Sequence, residues 1–137
     1  MSATSLNRGA NGKIRAGRVL SALGILFLLF DSVIKLLRIE PVIESFDALG
    51  YPAHLALGIG ILELTCLAAY VIPRTSILGA ILLTGYLGGA VATHVRVGSP
   101  LFTHILFPTY VAVLLWGGLY LLDSRVGTLV KFRIRTG

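Results

Sequence analysis

Asp31 and Lys35 stand four residues apart inside an otherwise apolar run, VLSALGILFLLFDSVIKLL. Four residues are about one helical turn, so the two side chains share a face. An acid and a base so placed can neutralise each other, relay a proton, or bind the polar end of a ligand. A third charge, Glu63, lies in the middle of the next apolar segment, within GILEL. Charge at bilayer depth is costly, so it faces a bundle interior, a wet cavity or an opposite charge. Glu63 is therefore expected to be protonated, or paired with Lys35, Arg38 or Arg96.

Further polar groups fall near the ends of the apolar segments. His54 begins the second, His94 ends the third with Arg96 beside it, and His104 begins the fourth. Asp31, Lys35, Glu63, His94, Arg96 and His104 thus form one candidate cluster, in the half of the bundle taken to be the outer one. Tyr86 and Tyr110 are the deeper aromatic residues and are candidates to line a pocket there. Glu63, His94 and His104 offer oxygen and nitrogen ligands of the kind zinc or iron takes, with no H-E-x-x-H or E-x-x-H spacing to support a metal. One cysteine, Cys66, excludes an intrachain disulfide or dithiol pair. No phosphate-binding loop, dinucleotide glycine pattern, Ser-His-Asp order or GxSxG elbow occurs.

The elements that must hold these groups are helices in lipid. Of 137 residues, 55% are hydrophobic and only 13% are charged, about half the charged share of a soluble domain. The continuous apolar runs predict four transmembrane helices over 19–37, 53–72, 75–95 and 101–122, each near the roughly 20 residues a span requires. Pro41, Gly50-Tyr51-Pro52, Pro73-Arg74 and Gly98-Ser99-Pro100 break them. Between the first two, VIESFDAL predicts a short helix along the outer interface. The fold class expected is an all-α integral membrane four-helix bundle over residues 18–123. A flexible basic tail of residues 1–17 precedes it and a basic tail of residues 124–137 follows. No cleavable signal peptide is expected.

The net charge of +6 comes mainly from the two ends. Those clusters flank membrane segments, so they read as topology signals and lipid contacts rather than as a nucleic-acid surface. With Arg74 they place both termini on the cytoplasmic side of what is expected to be a bacterial cytoplasmic membrane. Gly85 and Gly89, with GxxxG spacing, read as a close helix contact within the bundle.

The stretches FDSVIKLL, LGYP, GILEL, IPRT, GAILLTGYLGGA, THVR and FPTYVAVLLWGGLYL together resemble the DoxX-like family of small four-helix membrane proteins, related to DoxX and DoxD. The resemblance spans residues 19–122. It implies the four-helix architecture. It also implies an association with membrane oxidoreductases, in some relatives with thiosulfate oxidation coupled to quinone, and in others with oxidative-stress responses.

Three functions stay open on these grounds. The first is a redox-associated protein that binds a quinone or other lipophilic ligand at the polar cluster. The second is a non-catalytic partner or scaffold subunit of a membrane complex, with membrane oxidoreductase subunits or further copies of the chain as its partners. The third is a small proton-coupled carrier, for which four helices without an inverted repeat are a poor machine.

Overall fold

The computed structural model describes the backbone of residues 3–135 and side chains as far as Lys131. Every regular element among the described residues is helical: α1 (Ala3–Leu37), α2 (Glu40–Ala48), α3 (Leu55–Val71), α4 (Ser76–Arg96), α5 (Phe107–Leu122) and α6 (Ser124–Arg135). α1 packs against both α3 and α5, and α4 packs against the same two. Leu28, Leu67, Leu83, Val111 and Leu115 fill the space between them.

Three helical segments are long and apolar enough to cross a membrane: Ala3–Leu37, Ser76–Arg96 and Leu101–Leu122. α3 is equally apolar but has 17 residues, or ~26 Å, slightly less than a ~30 Å hydrocarbon core. Leu26, Phe30, Ile81 and Val113 turn their side chains outward. In water such a surface would drive association; in lipid it is already in an apolar solvent.

Close approach is set by glycines, though not by the expected pair. A Cβ on Gly118 would lie 2.1 Å from the Ser21 hydroxyl and 2.7 Å from the Ser21 nitrogen, so α1 and α5 meet there almost backbone to backbone. At Gly79 a Cβ would lie 2.1 Å from the Tyr70 nitrogen, where α3 turns into α4. Gly85 and Gly89 have nothing within 4 Å of an added Cβ. The GxxxG spacing is therefore not a packing contact within this chain, which corrects the expectation for it. Tyr70 ties the core together by donating to the Leu115 carbonyl at 2.7 Å and accepting from Ser21 at 3.0 Å.

Other boundaries also differ from expectation. Residues 1–17, expected as a flexible tail, are helical from Ala3 and continue into α1. An existing helix propagates more easily than it nucleates, so weak formers such as Gly9 and Gly12 are carried along. The basic C-terminal segment is also helical, as α6, with Val126 buried against the core. The last apolar run is broken: Leu101–Ile105 forms a π-type turn, and α5 starts afresh with Pro108 in its first turn. A proline there cannot accept an incoming helix, because its ring clashes with the carbonyl four residues back.

Asp123 and Arg125 fasten the corner between α5 and α6. Arg125 donates to the Asp123 carboxylate at 2.6 Å and to the Pro73 carbonyl at 2.7 Å. Those bonds hold the Asp123 carboxyl below its ordinary value and raise that of the Arg125 guanidinium.

Candidate functional site

The site is built around Lys35. Its ammonium donates to Asp31 on the same helix, to Glu63 Oε2 on α3 at 2.9 Å and to the Tyr86 hydroxyl on α4 at 2.8 Å. Tyr86 passes its own proton to the same Glu63 oxygen at 2.9 Å. Three helices are thereby joined through one ammonium. The approach of α1 to α3 that permits this depends on Gly60. A Cβ there would sit 3.0 Å from Lys35 Cβ and 3.2 Å from the Ser32 carbonyl.

Burial is graded across the cluster. The Glu63 side chain is 0% exposed, Lys35 13% and Asp31 29%. Glu63 Oε1 is buried with no hydrogen-bond partner among the described residues. Two carboxylates face one ammonium, so the group carries one excess negative charge or holds one proton.

Asp31, Lys35 and Tyr86 line one end of a cavity of about 620 Å³. Its walls are apolar: Phe27 and Leu28 on α1, Val42 and Phe46 on α2, and Phe107 and Val111 on α5. Phe27 meets Phe107 edge to face at 4.9 Å. On α4 the wall is Gly85, Gly89 and Ala90, which leave the space unfilled. α2 reaches the cavity because the chain reverses sharply after α1, with Arg38 at a φ of 51°, a conformation unfavourable for a residue with a Cβ. The following loop is anchored to α4. Arg96 donates to the Leu49 carbonyl and stacks over Tyr51, and Tyr51 bonds Thr93 at 2.9 Å. Gly50, at a φ of 74°, supplies the left-handed turn.

The sequence-derived candidates therefore separate. Asp31, Lys35, Glu63 and Tyr86 come together. His94 lines the same cavity and bonds Ser99 at 3.0 Å through Nδ1. Arg96 positions the loop and does not join the charges. His104 meets His94 edge to face with ring centroids 5.6 Å apart and is not among the residues lining the cavity. Tyr110 is 45% exposed and does not line the cavity. The break at Pro108 restarts the helix, so residues before and after it do not share one helical register. Among the described residues no three His, Cys, Asp or Glu side chains gather as metal ligands, so Glu63, His94 and His104 do not form the metal site considered for them. Tyr51, Thr93 and the apolar face of α2 were not among the candidates. For α2 the sequence signal is the three-residue spacing of Ile43, Phe46 and Leu49.

A buried ion cluster at the end of an apolar cavity, carried by helices with lipid-compatible surfaces, defines a helical integral membrane protein with a polar internal site. The DoxX-like family profile matches residues 19–118, and the chain belongs to that family. No curated protein and no solved structure matches it.

Proposed function

We propose that this chain is a redox-associated membrane protein that binds a quinone or another lipophilic ligand in the cavity beside Lys35. The observation that carries this is the combination of an apolar chamber of about 620 Å³ with a charged, hydrogen-bonded end formed by Asp31, Lys35 and Tyr86. Ligand sites are typically apolar chambers with a few convergent polar groups. In this reading α3 completes a four-helix membrane bundle, its length made up by the adjoining turns. α2 lies at the outer interface, and the basic ends of α1 and α6 face the cytoplasm of a bacterial cell. The redox association is what the family resemblance suggests, and no group in the cavity is needed for it.

The test is mass spectrometry of organic extracts from the purified protein. A quinone or other non-phospholipid lipophile is expected, and Gly85→Leu, which fills the chamber from its open wall, should lower its occupancy. Bulk phospholipid alone, unchanged by that substitution, would count against the proposal. A second reading, a partner or scaffold subunit, is favoured by one observation: Gly85 and Gly89 are exposed on α4 as well as facing the cavity. A neighbouring helix, from an oxidoreductase subunit or a second copy, could dock there. Loss of a complex in native gels on Gly85→Leu, with no change in bound ligand, would support that reading instead.

A further inference from the structure

We propose that the cavity selects a lipophilic molecule whose polar end donates a hydrogen bond, and that Asp31 Oδ1 accepts it. The inference rests on the ligand-site proposal above and narrows it.

The protons at the cavity wall are almost all spent. Lys35 has three, and Asp31, Glu63 and Tyr86 take them. The Tyr86 proton goes to Glu63 at 2.9 Å. Thr93 donates to the Gly89 carbonyl at 2.9 Å, which leaves Tyr51 as the donor in the bond between their hydroxyls. Ser45 donates to the Pro41 carbonyl at 2.7 Å. Among the described lining residues, a ligand whose head only accepts hydrogen bonds finds just the His94 imidazole unspent, about two helical turns along α4 from Tyr86.

Acceptors, by contrast, remain. Asp31 bonds Lys35 through Oδ2 alone, and its Oδ1 has no partner among the described residues. Asp31 lines the cavity and is the most exposed of the three charged groups. Glu63 also has an unpartnered oxygen, but it is fully buried and does not line the cavity. A bond donated to an ionised carboxylate such as Asp31 is stronger than one between neutral groups. A phenol, an alcohol or the reduced, hydroquinone form of a quinone fits this end; an oxidised quinone, an ether or an ester fits it less well.

The test compares two redox-inert probes, para-heptylphenol and its methyl ether, which differ only in the donor. Binding to the full-length protein in neutral detergent is measured by calorimetry, with Gly85→Leu subtracting micelle partitioning. The phenol is expected to bind at least about tenfold more tightly, and Asp31→Ala to abolish the preference. The comparison in the unsubstituted protein does not depend on whether Asp31→Ala folds. Equal affinities would overturn the inference and leave a ligand site standing. A preference that survives Asp31→Ala would overturn the role given to Asp31. No cavity-dependent binding of either probe would overturn the ligand-site proposal and this inference with it.

Discussion

Removing the Lys35 ammonium should harm the fold more than removing the Glu63 charge, although the two groups share one ion pair. Lys35→Met keeps the length of the side chain and deletes three hydrogen bonds and both ion pairs. It leaves Asp31 and a fully buried Glu63 without a cation. Breaking a buried pair by removing one partner costs about 3–5 kcal/mol, because the other charge is stranded. Glu63→Gln removes the second carboxylate instead. Its amide oxygen can still accept from Lys35, and Lys35 keeps Asp31 and Tyr86, so we expect a loss of about 1 kcal/mol. The double variant should cost less than the sum of the two by about 1–3 kcal/mol, since the stranded carboxylate is gone. Reversible unfolding in mixed micelles with increasing SDS, followed by far-ultraviolet circular dichroism, gives all four corners of the cycle. The reasoning is refuted if Lys35→Met lies within about 1 kcal/mol of the parent, or if Glu63→Gln proves the more damaging change.

Three further outcomes are expected. Gly118→Ala should destabilise by about 1–3 kcal/mol or more, because the new Cβ meets the Ser21 backbone, whereas Gly85→Ala should be neutral or stabilising by up to about 1 kcal/mol; the same unfolding assay compares them. Tyr70→Phe should cost about 1–2 kcal/mol by removing two buried hydrogen bonds, and thermal unfolding of the purified protein would show it. The Asp123 carboxyl is held below its ordinary value by Arg125, so its contribution is fully present above about pH 4 and is lost as the pH falls through the depressed value. Protection factors of the amides at the α5–α6 corner, corrected for the intrinsic exchange rate at each pH, should therefore fall on acidification, and Asp123→Asn should remove that dependence.

The charges were legible in the sequence because lipid makes them conspicuous. Asp31 and Lys35 interrupt one apolar run, Glu63 interrupts another, and their pairing follows from the cost of leaving either alone. The short α2 helix and the helical class were legible for similar reasons. What the sequence could not supply was rotation. α3 is apolar on every side, so its period does not show which face turns inward; only Glu63 does. Tyr86 and Tyr110 looked equivalent by depth, yet Tyr86 completes the cluster while Tyr110 turns outward. The helix that carries Tyr110 restarts at Pro108, and a π-type turn precedes it. Gly85 and Gly89 matched a packing motif, but their space is the cavity rather than a neighbouring backbone. Whether a glycine touches a neighbour depends on the helix pairing, which spacing alone does not fix.

The central claim is that Lys35, held by Asp31, Glu63 and Tyr86, forms the polar end of an occupied ligand chamber. An experimental density map of the full chain in lipid nanodiscs tests it most directly. The expected result is elongated non-protein density in the cavity, between Phe27, Phe46 and Phe107, with its polar end about 3 Å from Asp31. A chamber closed by inward movement of α2, or a Lys35 ammonium withdrawn from Glu63, would contradict it.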